Sequence, residues 1–299
     1  MMWADQILQG VLLGGYYALL ACGLSFMFGV MRIINLAHGS IAVLSAYLVL
    51  TVAAQWNVSP FLALIVVLPV MALAGWLLQR TVIDRSLRSG EVTPLLSTFG
   101  LAIVIDNLLF EKFGADTRSL APNVGDLAFN SWNIGSVAIG QLALLTLVVA
   151  VALLGGLHLF LRGTRLGRAI RATAQDADTA ELVGIDSRAV YAVAAAIALV
   201  TVAIAGTFLA LRSSFDPYAG STQLIFAFEA VVIGGTGSLW GTLIGGIVLG
   251  VAQNIGSQIS PQGFLIAGHG VFLAVLAARF FLAGRDPRVW LRTLRRTPA

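Results

Sequence analysis

Nine apolar stretches follow one another along the chain, at roughly 6–30, 36–55, 60–79, 93–111, 135–161, 189–211, 221–234, 238–256 and 263–283, with almost no charge inside them. A helix needs about 20 apolar residues to cross the hydrocarbon core of a bilayer. Inside lipid every backbone amide must find its partner within the segment, which makes helices the default. The alternating ten-residue strands of a membrane β-barrel are absent. Of the 299 residues, 58% are hydrophobic and 11% charged, against about 45–50% and about 25% in soluble domains. Such a chain could not cover its own surface in water. It reads as an all-α, polytopic integral membrane protein with about eight to nine transmembrane or re-entrant helical segments. Neither a linker nor a low-complexity tract divides it, so residues 1–299 form one domain. The first stretch follows "MMWADQILQG", which lacks the basic leader of a cleavable signal, and reads as a retained helix.

The formal charge of +4 does not point to nucleic acid, because nearly all the arginines sit between or after the apolar stretches. Arg80, Arg85 and Arg88 share one connection; Arg162, Arg165, Arg168, Arg171 and Arg188 share another; Arg285, Arg288, Arg292, Arg295 and Arg296 fill the tail. The connections near 55–60, 112–134 and 212–220 carry few cations. Positive-inside bias then places the N-terminus outside and the C-terminus in the cytoplasm, which requires an odd number of crossings. Residues 221–256, cut by "GGTGSLWG", satisfy that parity as two passes or as a re-entrant turn. Cys22 is the sole cysteine, so no disulfide framework is possible.

Two interruptions break the pattern: "MRIINLAHGS" at 31–40 and "GGTGSLWG" at 234–241. Gly-interrupted hydrophobic segments are a pointer to a transporter's substrate path. Asn35, His38 and Ser40 follow Arg32 so closely that some lie at membrane depth, where they either line a path or tie helices together. Arg32 itself suits the inner end of the first helix, snorkelling to headgroups. Glu229 and Asp106 are the acidic residues well inside apolar stretches. A carboxylate at that depth must face protein or water. Glu229 is placed to meet a substrate ammonium or to pair with another helix, whereas Asp106, near the outer end of its segment, suits a solvated or structural role. Gly234, Gly235, Gly237 and Gly241 permit both unusual φ angles and close packing. His158 and His269 stand alone without metal-ligand spacing and are assigned no chemistry.

The longest polar stretch on the expected inner side is "RLGRAIRATAQDADTAELVGIDSRAV", 165–190. Asp178 and Glu181 have the spacing of a helix cap, Gly184 is placed to end that helix, and Asp186 to cap the next. Ala177, Ala180 and Gly184 form a small-residue face that another protein could approach; the alternative is a solvated loop with ordinary caps.

"GRAIRATAQDADTAELVGID" resembles the cytoplasmic loop of ABC importer permeases of the branched-chain amino acid, LivH-like, family. "GLSFMFGVMRIINLAHGSIAVLSAYL" and "SSFDPYAGSTQLIFAFEAVVIGGTGSLWGTLIGGIVLGVAQ" resemble its first and last blocks, in the family's order. The resemblance implies a translocation subunit for branched-chain, hydrophobic amino acids, coupled through about 163–188. The matching coupling residues are Arg168, Arg171, Ala172, Asp176, Ala180 and Gly184; the implied path draws on Asn35, His38, Ser40, Glu229, Gly234 and Gly235. It further implies a bacterial inner membrane, two cytoplasmic ATPases, a second permease subunit and an extracytoplasmic solute-binding protein. No cofactor is expected in the chain itself, ATP being held by the partners. Independently, a P-loop needs G-x-x-x-x-G-K-[ST], and the sole lysine, Lys112, lies between Glu111 and Phe113. Related permeases for urea, short amides or other amino acids form the nearest alternative, and an ion-coupled transporter using Asp106 or Glu229 a more distant one. The HExxH and GxSxG motifs of intramembrane or hydrolytic enzymes are absent.

Overall fold

The computed structural model describes residues 2–87, 89–90, 92–134 and 137–283. Arg88 and the tail arginines Arg285, Arg288, Arg292, Arg295 and Arg296 lie outside the described residues. The elements are α1 (Met2–Met31), α2 (His38–Trp56), α3 (Pro60–Leu78), a π turn (Gln79–Ile83), α4 (Asp84–Leu87) and α5 (Thr93–Phe113). A 3-10 turn (Ala121–Val124), α6 (Asp126–Phe129), β1 (Ser131–Ile134) and β2 (Val137–Gly140) follow. Then come α7 (Gln141–Gly163), α8 (Arg165–Gln175), α9 (Ala177–Leu182), α10 (Ser187–Arg212), α11 (Gly220–Gly234), α12 (Leu239–Ser257) and α13 (Gly263–Ala283). Among the described residues eight helices are long and apolar enough to span a membrane, and α11 is a ninth, shorter one.

Local chemistry explains where the long helices begin. Ser59 caps α3 ahead of Pro60, Asp186 caps α10 and Ser238 caps α12, each accepting from a backbone N–H at the open end. Asn57 closes α2 with φ 50°. The interruption at 221–256 is two helices: α11 and α12 run antiparallel around a turn whose glycines Gly235 and Gly237 have φ 99° and 81°. The stretch at 135–161 differs from expectation. Val137–Gly140 pair with "SWNI" as two antiparallel strands, with Ser131 opposite Gly140, and the helix starts at Gln141.

Helix α1 is the axis of the bundle, with Tyr16 to Cys22 nearly sealed from the surface. It lies antiparallel to α12 with backbones touching. A Cβ on Gly14 would fall 2.3 Å from the Ile247 Cα, and one on Gly250 would fall 2.3 Å from the Gly10 carbonyl. Gly10-x-x-x-Gly14 thus meets Gly246-x-x-x-Gly250, the small-residue spacing that lets membrane helices approach closely. Around this core α3, α5, α7 and α13 turn large apolar side chains outward, among them Leu62, Ile65, Leu73, Phe280 and Phe281. In water that surface would mark an interaction site; in a bilayer it is the lipid-facing shell.

The two ends of the bundle differ in charge. Helices α8 and α9, the α11–α12 turn and the ends of α1, α3 and α7 share one end, where Arg80, Arg162, Arg165, Arg168, Arg171 and Arg188 gather. The β1–β2 pair and the α10–α11 connection share the other, with Lys112, Arg118 and Arg212.

Candidate functional site

Three regions hold the residues singled out by the sequence. The first is the break at 32–37. Arg32, exposed and with φ 56°, ends α1, and its N–H still donates to Phe28 at 2.9 Å. The chain then climbs back along α1, so that α2 opens opposite Leu20. His38 Nε2–H donates to the Leu20 carbonyl at 2.8 Å. Leu20 lies eleven residues before the end of α1, about 16 Å at 1.5 Å per residue. Asn35 Oδ1 accepts from Ala37 N at 3.0 Å, and Thr98 Oγ1 of α5 accepts from Leu36 N at 3.1 Å. Asn35 and His38 are fully buried. Ser40 packs on Gly220 and lies beside Asp106, whose Oδ1 is buried without a partner. These groups therefore satisfy a chain break and tie α2 to α1, α5 and α11.

The second region is a seam between α1, α11, α12 and α13. The Tyr17 hydroxyl donates to Gln253 Oε1 at 2.5 Å, and Tyr16 to Gln223 Oε1 at 2.6 Å. Glu229, 3% exposed, pairs through Oε1 with His269 Nδ1 of α13. Its Oε2 and the Gln253 Nε2 are buried without hydrogen-bond partners. The Gln253 side chain lies against Gly268, beside His269. His269, which sequence spacing left without a role, is thus part of this cluster; a histidine 40 positions from its carboxylate leaves no local pattern to find.

The structure does not join the seam to the break. On α11 the face toward α2 carries Gly220 and Leu224, and Glu229 lies nine residues beyond Gly220. Nine residues are two and a half turns, which puts Glu229 on the opposite side of the helix. Gly234 is taken up by packing, since a Cβ there would fall 1.9 Å from the Gly241 carbonyl. Gly235, with positive φ, has Arg279 of α13 beside it.

The third region is α8–α9, at the arginine end. Thr164 caps α8 by accepting from Gly167 N at 2.9 Å. Gly167 lets the helix fold back on α7, its Cβ position lying 2.3 Å from the Phe160 carbonyl. Ile170 and Thr173 turn inward, while Arg165, Arg168 and Arg171 stay exposed and Ala172 is half-buried. The cap of α9 is Asp176, not Asp178: its carboxylate accepts from Thr179 Oγ1 at 2.6 Å and Thr179 N at 3.0 Å. Those bonds, the hydroxyl first, hold the Asp176 carboxyl below its usual range. Asp186 caps α10, as its spacing suggests, accepting from Ala189 N at 3.0 Å. The small-residue face is split. Ala180 is 3% exposed and Ala177 half-buried, with Ser187 Oγ donating to the Ala177 carbonyl at 3.1 Å, so these alanines pack on the start of α10, while Gly184 stays exposed. What α9 presents outward is Leu182 and Val183, 86% and 73% exposed, followed by Gly184 at φ 86°.

A multi-helix membrane bundle with a buried polar seam and a paired-helix projection at one arginine-rich end suits a membrane transport subunit. Residues 6–282 match the family described as the permease component of the branched-chain amino acid transport system, and the chain belongs to that family. It is 30% identical over 292 residues to the high-affinity branched-chain amino acid transport permease BraD of Pseudomonas aeruginosa, covering 93% of this chain and 94% of that one. It is 30% identical over 270 residues to LivH of Escherichia coli K12, covering 85% of each. To the probable branched-chain permease LivH of Methanocaldococcus jannaschii it is 26% identical over 287 residues, covering 93% of this chain and 90% of that one. No solved structure matches the chain.

Proposed function

We propose that the chain is the membrane-spanning permease of an ABC importer that carries leucine, isoleucine and valine across a bacterial inner membrane. Family membership over residues 6–282 carries this reading, together with the substrates named for its relatives. The N-terminus lies outside and the α8–α9 end faces the cytoplasm, an orientation supported by the arginines clustered there. Two cytoplasmic ATPases supply the energy, a second permease completes the pore, and a solute-binding protein delivers substrate.

The coupling element is α8–α9. Arg168 and Arg171 offer charge on its exposed face, Asp176 and Gly184 set its start and stop, and Ala172 and Ala180 hold it on the bundle. Two exposed aliphatic side chains on a water-facing helix suit an apolar socket on a partner, and Leu182 and Val183 are that anchor. On the membrane side, Glu229 serves the translocation path, while Asn35, His38, Ser40 and Gly234 hold the helices that flank it, and Gly235 leaves backbone open at its cytoplasmic end.

The test is reconstitution with candidate ATPases and binding protein, followed by ATP-driven leucine uptake. Replacing Leu182 and Val183 together by Asp is expected to abolish ATPase co-purification and lower uptake at least tenfold while leaving the membrane helices intact. Gly184→Arg is a less clean variant, because its positive φ strains any side chain there. Wild-type association and uptake in the double Asp variant would sink the coupling assignment.

A further inference from the structure

The seam continues, toward the β1–β2 end, into a cavity of 240 Å³ between α1, α10, α11 and α13. Its walls combine three chemistries. Leu13, Leu209, Phe226 and Phe264 form an apolar lining, Tyr16, Ser213 and Gln223 add neutral polar groups, and Arg212, at the exposed end of α10, supplies a cation. The guanidinium stands 5.1 Å over the Tyr16 ring, and among the described residues no carboxylate pairs with it. A charge braced on an aromatic ring, with its fork of donors uncommitted, matches a planar carboxylate.

The inner wall is the aromatic pair Tyr17–Phe226, with ring centroids 5.2 Å apart. Behind it lie two buried groups without partners, Glu229 Oε2 and Gln253 Nε2. Tyr17 belongs to both compartments, lining the cavity with its ring and bonding Gln253 with its hydroxyl. Glu229 lies three residues, just under one turn, beyond Phe226 on α11. Cation, apolar wall, aromatic partition and free carboxylate oxygen therefore follow one another along a single seam.

We propose that this cavity is a substrate station for zwitterionic amino acids with aliphatic side chains. Arg212 takes the carboxylate, and Leu13, Leu209, Phe226 and Phe264 take the side chain. The Tyr17–Phe226 pair separates it from the Glu229 oxygen, which receives the ammonium at the next station. The assignment rests on the importer reading and adds to it where and by which groups the substrate is read. Among the described residues the wall presents one cation and no carboxylate, so cationic solutes are poorly matched.

Two measurements on the full importer in proteoliposomes test this. The first is leucine uptake at saturating binding protein. Arg212→Gln is expected to lower the maximal rate at least tenfold, with Arg212→Lys recovering part of it. Phe264→Trp, which fills the cavity from the peripheral helix α13, is expected to slow uptake comparably. The second is thiol protection. With Cys22→Ala removing the native cysteine, Ser213→Cys, at the exposed rim of the cavity, is labelled by a small thiol reagent, and millimolar leucine is expected to slow labelling whereas leucinamide is not. That protection should vanish in Arg212→Gln. If wild type imports leucine but Arg212→Gln and Phe264→Trp match its rate, or if leucinamide protects as well as leucine, the station is wrong while the importer reading stands. If wild type imports none of the three branched-chain amino acids under ATP, the importer reading fails and the station fails with it.

Discussion

The break at 32–40 and the seam around Glu229 are both polar and both buried in the bundle, yet their bonds go to different places. At the break, side chains serve the backbone: His38 bonds the Leu20 carbonyl, Asn35 the Ala37 amide and Thr98 the Leu36 amide. In the seam, side chains meet side chains: Tyr16 with Gln223, Tyr17 with Gln253, Glu229 with His269. The first arrangement satisfies amides that a broken helix leaves open, which hydrocarbon would leave costly. The second spans four helices and ties them side chain to side chain. Both regions leave buried polar atoms without partners, Asn35 Nδ2 and His38 Nδ1 at the break and Glu229 Oε2 and Gln253 Nε2 in the seam. Polarity at membrane depth thus holds the chain at the break and joins helices in the seam.

Substitutions at the break should harm folding, and those in the seam should harm transport. The largest effect is expected from Gly39→Val. A Cβ at Gly39 would fall 1.9 Å from the Gly220 carbonyl, so α2 and α11 must part, and purified yield and thermal stability should collapse together. Next is Glu229→Gln, which keeps an acceptor for His269: the protein should purify at normal yield, with leucine uptake down at least tenfold. Normal uptake in that variant would put Glu229 on the holding side of the comparison. His38→Phe removes the bond to Leu20 and should cost about 1–3 kcal/mol, read as a lower melting temperature with residual uptake in the surviving fraction. The smallest is Tyr17→Phe. Bonds between membrane helices average about 0.6 kcal/mol, so stability should barely move, and a change in uptake without a change in melting would place Tyr17 on the path.

Outside the membrane, the depressed Asp176 carboxyl gives a pH expectation with a definite sign. A folded-state value below the unfolded one makes the cap's contribution complete above the unfolded value, about 3.9, and lost as pH falls through the folded value. Coupling to the ATPases should therefore be insensitive to Asp176 titration between pH 6 and pH 8, both of which lie above about 3.9. Asp176→Ala should weaken ATPase association at every pH in that range.

The difference between the two regions also explains what the sequence disclosed. Helix number and approximate limits were legible because apolar length and capping residues such as Ser59 and Asp186 act locally. The break was legible only in part: Asn35 serves the Ala37 amide two residues on, but His38 reaches Leu20 and the Leu36 amide is served by Thr98 of α5. The seam was not, because Glu229 and His269, or Tyr17 and Gln253, become neighbours only when α1, α11, α12 and α13 pack. The small-residue face of α9 misled for a related reason. Alanines at helical spacing suit close approach, but spacing does not say whether the approaching surface is another protein or, as here, the start of α10.

The α1–α12 contact has one more consequence. Interdigitated side chains act like gear teeth, since sliding one helix past the other means lifting each tooth from its socket. Where Gly10 and Gly14 meet Gly246 and Gly250 there are no teeth, and smooth backbone rests on smooth backbone. Such a joint fixes how far apart the two helices stand, and the bonds from Tyr17 to Gln253 and from Thr242 to Ser25 pin its two ends against axial slip.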